Sequence, residues 1–255
     1  MLVLAIGDII GRPGRRAVRR LVPNLRQEYG LDLVIVNAEN AAGGFGLTPD
    51  TARELLEAGA DVLTSGNHIW AKPEIIPYLD GELPIIRPLN YPPGVPGNGY
   101  LINGPVMVAN LLGRTFMGDL DCPFRAVDQM LASNPEPRVV IVDFHAEATS
   151  EKVAMGRYLD GRVSAVLGTH THVGTIDIQV LPRGTAYVTD IGMTGPEDSV
   201  IGDETEAVIQ RFLTRMPHHL SVGKGKTTLH AVMIRIDDDT GKAMSIDRIY
   251  RELED

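Results

Sequence analysis

Residues 2–40 run LVLAIGDIIGRPGRRAVRRLVPNLRQEYGLDLVIVNAEN, and their reading decides the fold. Two short apolar runs, LVLAI from Leu2 and LVIV from Leu33, bracket a helix-like stretch from about Pro13 to Tyr29. Short apolar runs bounded by turn residues are what buried strands look like. Thr48-Pro49 then offers an N-cap and a proline at the first helical position, with Gly59 as a stop. DVLTS, residues 61–65, follows at once. This β-α-β-α-β rhythm implies parallel strands joined by right-handed crossovers.

Further along, the chain is rich in Pro, Gly and Asn from about Pro84 to Pro105, and YLIN (100–103) and VMVANLL (106–112) read as strands. Helices near Phe124–Ala132 and Ser150–Leu159 lead to RVVIVDF (138–144) and SAVLG (164–168). The last third turns antiparallel: residues 176–190 pattern as one hairpin and 229–253 as another, the second connected through Asp239-Thr240-Gly241-Lys242. A parallel half joined to an antiparallel half predicts two mixed sheets packed together, with helices outside. No linker or internal repeat interrupts the chain, so residues 1–255 are expected to form a single domain.

A formal net charge of −9 argues against a nucleic-acid coat protein, since such proteins are usually basic. Phosphate-bearing small molecules stay open, because a metal centre supplies positive charge locally. The single cysteine, Cys122, excludes an intrachain disulfide and a Cys-rich zinc site, and reads as a small buried hydrophobe. MLVLAI is too short for a signal sequence and is broken by Gly7-Asp8. Nothing approaches the ~20 apolar residues of a membrane span. A cytoplasmic protein with no membrane contact is the expectation.

Polar residues stand directly after the apolar runs: Asp8, Glu39 and Asn40, Asn67 and His68, His145, and finally His170 and His172. Ligands of open α/β sheets bind outside the carboxyl ends of the strands. If the runs are strands, these residues gather in one cleft, and the inventory suits two metal ions. GDIIGRPGR fits neither G-x-G-x-x-G nor the P-loop, which argues against a dinucleotide site. Asp8 alone reads equally as a turn cap or as a ligand. Asn37-Ala38-Glu39-Asn40 is either a hydrogen-bonded turn or a site where Glu39 bridges two cations and Asn40 adds a neutral oxygen.

His68 suits a metal ligand or an acid/base group, although a lone histidine is more often structural. Gly168-Thr169-His170-Thr171-His172 is the strongest local signal, because histidines at i and i+2 can project from one side of the chain. Mixed N and O ligands without cysteine suit Mn, Fe or Zn. Of the remaining residues, His218 and His219 read as exposed, His230 as structural and Trp70 as packing. Arg16, Arg19 and Arg20 read as a solvated helix face, while Arg12 and Arg15 lie near enough to Asp8 to attract an anion.

At these residues the chain resembles the calcineurin-like metallophosphoesterases, whose pattern runs D-x-H, G-D-x-x-D, G-N-H-[DE], a lone His and G-H-x-H. Gly66-Asn67-His68, His145 and GTHTH match, the last with an extra threonine. Ile10 stands in place of the first histidine, Glu39-Asn40 replaces the second acidic block, and Ile69 follows Asn67-His68. Those departures, with GDIIGRPGR, NAEN, GNHIW, DFHAEATSEK, GTHTHVGT and GMTGP, resemble the YmdB-like branch of bacterial phosphodiesterases over essentially the whole chain.

The resemblance implies an α/β fold, a four-layer α/β/β/α sandwich of two mixed sheets with a dinuclear centre between them. Carried onto this sequence, Asp8, Glu39, Asn40 and His172 hold one metal and Glu39, Asn67, His145 and His170 the other, Glu39 bridging. Asn40 substitutes for the histidine missing at Ile10, and His68 matches the family's acid. The implied reaction is phosphodiester hydrolysis, most of all of cyclic nucleotides (2′,3′-cyclic, and 3′,5′-cyclic as a further case). A hydroxide between metals ~3.5–4 Å apart attacks in line, and His68 protonates the leaving oxygen. The expected cofactors are two transition-metal ions, Fe or Mn ahead of Zn. The alternatives are a phosphomonoesterase or nuclease on the same site, or a regulatory protein holding a nucleotide or an RNA end with slow turnover. A homo-oligomer fits any of these readings.

Overall fold

The computed structural model describes residues 1–253. Its first strand, β1 (Leu2–Ile6), is buried on both faces. Leu2, Leu4 and Ile6 point into one core and Val3 and Ala5 into another, as the two-residue period of a strand requires. A strand apolar on both sides must lie inside a layered structure.

β1 pairs in parallel with β3 (Leu33–Asn37), which pairs in parallel with β4 (Val62–Thr64). On its other edge β1 pairs antiparallel with β12 (Thr227–Ile236), which is hydrogen-bonded along its length to β13 (Ala243–Leu253). Two short strands, β2 (Asp8–Ile9) and β11 (Met193–Pro196), complete this seven-stranded mixed sheet. The second sheet has six strands. β5 (Tyr100–Asn103) lies antiparallel to β6 (Val106–Leu112), and β6, β7 (Val139–His145), β8 (Ala165–Thr169) and β10 (Ala186–Val188) are mutually parallel. β9 (Gln179–Val180) closes the edge. Both expected hairpins are present, although β10 also runs parallel to β8.

Three cores separate four layers. Helices α1 (Gly11–Tyr29) and α2 (Pro49–Glu57) cover the first sheet, packing Val18, Val22, Leu25 and Leu55 against Leu4, Val34 and Val36. The sheets meet over Val3, Ile35, Val108, Ile141, Leu167 and Val232. Helices α3 (Pro123–Ser133) and α4 (Thr149–Leu159) cover the second sheet through Val127, Met130, Met155 and Leu159. The α/β/β/α expectation therefore holds. α2 starts where the sequence indicates: the Thr48 hydroxyl accepts the Thr51 N–H at 3.2 Å, a cap worth about 1 kcal/mol. α5 (Thr205–Thr214) and the 3-10 turn at Pro73–Tyr78 carry no signal in the sequence reading. Cys122 is half-buried at the start of α3, not in the core.

Candidate metal centre

The same alternation that builds the inter-sheet core carries polar groups to the strand ends. On β7, Val139 and Ile141 face the other sheet, so Asp143 and His145 follow on that side. Asn37 continues the Ile35 side of β3, and Thr169 the Leu167 side of β8. These four meet. Asp143 Oδ2 accepts the Asn37 amide at 3.1 Å and the Thr64 hydroxyl, and its Oδ1 accepts the Thr169 hydroxyl at 2.6 Å. Burial pushes the Asp143 carboxyl up to about 6 despite the nearby His145. Thr169 Oγ1 also lies 2.9 Å from His145 Nδ1, which turns Nε2 outward.

His145 Nε2 is 3.2 Å from Asn67 Oδ1, 3.2 Å from Glu39 Oε1 and 3.0 Å from His170 Nδ1. Glu39, His145 and His170 hold donor atoms within 4.8 Å of one another, close enough to share a metal ion. A second lobe adjoins it. Asn40 Nδ2 sits 3.1 Å from Glu39 Oε1 and 3.3 Å from His172 Nε2, and that nitrogen is 3.7 Å from Asp8 Oδ1. The His172 Nδ1–H donates to the Ile201 carbonyl at 2.7 Å, which leaves Nε2 to face the cleft.

Asp8 is fully buried. Its Oδ2 accepts the His170 backbone N–H at 3.2 Å, while Oδ1 is the one buried side-chain atom without a hydrogen-bond partner among the described residues. Burying a carboxylate oxygen without a hydrogen-bond donor is costly, and a cation between it and the imidazoles of His172 and His145, 3.7 and 3.9 Å away, would remove that cost. The capping alternative fails, because Ile10 occupies the N-cap of α1 and is buried. Arg15 is spent elsewhere: it pairs with Glu54 at 2.6 Å and donates to the Ala41 carbonyl, bracing the loop after β3.

Electrostatics follow from this crowding. Burial raises the Glu39 carboxyl, but the His145 and His68 side chains outweigh it and hold Glu39 well below the carboxylate range. His145 loses ionisation to burial and regains more from Glu39, ending near 9. His170 goes the other way, down to about 3, through burial and repulsion by His145. Asp8 is raised, mostly by burial. Asp8 thus holds its charge poorly beside an ionised Glu39, a pattern that an added cation would invert.

Backbone geometry makes the cluster possible. At Gly66 a Cβ would fall 2.3 Å from Glu39 Oε2 and 2.4 Å from His145 Nε2, so only glycine allows the approach. His170 and His172 both have positive φ, 98° and 65°. Such strain persists where surroundings enforce it. Asp190 does so, accepting the Thr171 N–H at 3.1 Å and its hydroxyl at 2.8 Å, with Lys152 paired to it at 2.7 Å. His68 sits at the mouth: its backbone N–H donates to Glu39 Oε2 at 3.1 Å, and its Nδ1–H to Asn40 Oδ1 at 2.7 Å.

The sequence-expected residues Asp8, Glu39, Asn40, Asn67, His68, His145, His170 and His172 thus fall in one cluster. His218 and His219 are exposed, and Trp70 packs edge-on to Tyr91, as expected. Asp143, Thr169, Lys152, Asp190 and Glu147, whose carboxylate lies 3.1 Å from His170 Nε2, went unassigned. The signal for Asp143 was its place two residues before His145 on a strand.

The chain matches the profile of the YmdB-like protein family over residues 4–249. It belongs to that family. It is 49% identical over 254 residues to the 2′,3′-cyclic-nucleotide 2′-phosphodiesterase of Bacillus subtilis, covering 98% of this chain and 96% of that one. It superposes on the crystal structure of a hypothetical protein from Thermus thermophilus with TM-score 0.93 and 47% identity, over 99% of each chain. A novel phosphatase of Mycoplasma pneumoniae matches equally well in shape, TM-score 0.93 at 33% identity, over 99% of this chain and 93% of that one. No helix among the described residues is long and apolar enough to cross a membrane.

Proposed function

We propose that this chain is a cytoplasmic metal-dependent phosphodiesterase that opens 2′,3′-cyclic nucleotides. Asp8, Glu39, Asn40 and His172 would hold one metal and Glu39, Asn67, His145 and His170 the other. The observation that carries this reading is the buried, unpartnered Asp8 Oδ1 among imidazoles and carboxylates. Similarity to the Bacillus subtilis enzyme supports the substrate class. The donor set suits Fe, Mn or Zn.

Bound cations supply positive charge for the phosphoryl oxygens and an acidified water. The chain's own residues do the rest. Glu39 Oε1 lies 3.2 Å from His145 Nε2 in one lobe and 3.1 Å from Asn40 Nδ2 in the other, which supports a bridging role, while Oε2 accepts the His68 backbone N–H. Asp143 and Thr169 fix the ring of His145, and the Ile201 carbonyl fixes that of His172. His68 would act as the acid in its doubly protonated form: Nδ1–H is donated to Asn40 Oδ1, and Nε2–H is left to pass its proton to the leaving oxygen. A positioned acid of this kind is worth roughly 10²–10⁴-fold.

The test measures metal content together with hydrolysis of 2′,3′-cyclic AMP and of a chromogenic phosphodiester, for wild type and Glu39→Gln. Two metals per chain, with turnover lost in the variant, support the reading. Metal-loaded wild type that binds the cyclic nucleotide without cleaving it points instead to a regulatory binding protein.

A further inference from the structure

The loop between β3 and α2 presents an aromatic ring at the mouth of the centre. Phe45 is 52% exposed, and its ring centroid lies 4.2 Å from that of His68 with the planes tilted by 46°. A large apolar side chain left half in water needs a reason when the rest of its loop is tied down. Ala42 N–H donates to the Gly46 carbonyl at 2.8 Å, and Gly44 N–H to the Asn40 carbonyl at 3.1 Å. Gly43, Gly44 and Gly46 all have positive φ, which folds the segment into a tight knuckle. A Cβ on Gly46 would meet Lys72 at 2.7 Å, and one on Gly44 would meet Val222 at 2.9 Å, so the knuckle is wedged on both sides. Phe45 therefore rides on a rigid support.

Its neighbours define what it faces. Asn40 touches both His68 and His172, so the ring flanks one side of the two-lobed centre. Ile201, 50% exposed, stands beside His172, whose Nδ1–H its carbonyl accepts. A phosphoester held at the centre has to project its remaining groups outward past these side chains. A ribose cyclic phosphate carries a flat heterocycle in that direction, and an exposed aromatic ring is the surface on which a base stacks.

Resting on the phosphodiesterase reading above, we infer that Phe45 is a specificity-determining residue, a stacking platform for the nucleobase of a 2′,3′-cyclic nucleotide. Every base has a π-face, so the platform recognises nucleosides as a class without selecting one base. It acts on the base and not on the reacting atoms.

The experiment compares wild type, Phe45→Leu and Phe45→Trp on 2′,3′-cyclic AMP and on base-free ribose 2′,3′-cyclic phosphate. Binding of adenosine 3′-phosphate is measured in parallel by calorimetry. Leucine keeps apolar bulk against His68 but removes the stacking face. It should raise KM for the nucleotide and weaken adenosine 3′-phosphate binding, each by on the order of tenfold. Kinetics on the base-free ester should not change, and Phe45→Trp should match wild type. An equal fall in kcat on both substrates would make Phe45 a positioning residue for His68 and overturn the inference. So would a leucine variant indistinguishable from wild type. Wild type that cleaves the base-free ester as well as the nucleotide, with equal KM, would remove the platform yet leave the metal-site reading standing. Wild type that cleaves neither would overturn that reading itself, and this inference with it.

Discussion

Lys152 Nζ and Asp190 Oδ2 form an ion pair of 2.7 Å whose side chains are 1% and 0% exposed, directly behind the turn that carries His170 and His172. Asp190 Oδ2 also accepts both donors of Thr171, and Oδ1 accepts the Gly192 N–H at 2.8 Å. The pair thus anchors the residue between two histidines in left-handed conformations. Removing one partner of a buried pair strands the other charge and costs about 3–5 kcal/mol. Lys152→Met should lower the stability of the metal-free protein by about that amount in urea titrations. Metal content measured on the folded fraction should fall as well, because the turn is released. A variant that keeps wild-type stability would show that the pair carries no such load.

Asp8 should behave in the opposite way. Its Oδ1 has no hydrogen-bond partner, so the metal-free fold carries a buried carboxylate at a cost. Asp8→Asn removes that charge at nearly constant volume. Melting of chelator-treated protein should rise by about 1–3 kcal/mol in stability, roughly 2–4 °C per kcal/mol at this chain length. The stabilisation that added metal gives wild type should shrink or vanish. A variant destabilised without metal would mean that Asp8 serves the fold first.

Much of this was legible because strands that end in polar residues announce themselves. LVLAIGD, LVIVNAEN and GTHTH each place their ligand-type side chains at a run's carboxyl end, and the fold brings those ends together. What stayed hidden depended on pairing across the chain. Lys152 and Asp190 are 38 positions apart, and nothing local marks them as partners. Asp143 sat inside a run read as uniformly apolar, although the two-residue period links it to His145. α5 leaves little periodic signal, since Val208 alone of its residues is buried.

Gly66 offers a test of packing at the centre. Any side chain there enters the space between Glu39 and His145, where a Cβ meets atoms at 2.3–2.4 Å. Gly66→Ala should therefore displace a carboxylate or an imidazole and cut metal affinity on the order of 10–100-fold, the range typical of disturbed ligand orientation. Gly104→Ala is the control. Its φ of +56° strains an alanine by about 1–2 kcal/mol, yet its Cβ would meet nothing within 4 Å. That variant should lose some stability and no metal. Equal metal loading in both variants would show that the centre tolerates a methyl group.

The acid limb of stability should report on Asp177, which sits away from the metal cluster at the start of the β9–β10 hairpin. Burial raises its carboxyl, but the hydroxyls of Thr175 and Thr189 and the Thr189 N–H outweigh it and lower the folded-state pKa. A depressed carboxyl contributes stability that is complete above the unfolded value, about 3.9, and that disappears as pH falls through the folded value. Asp177→Asn removes the titration. It should cost stability at pH 7, where the carboxylate accepts three hydrogen bonds, and cost progressively less as pH drops below about 4. Urea unfolding of wild type and variant at pH 7 and pH 3 measures the difference. A gap that stays constant between the two pH values would mean that the three hydrogen bonds do not depend on the charge.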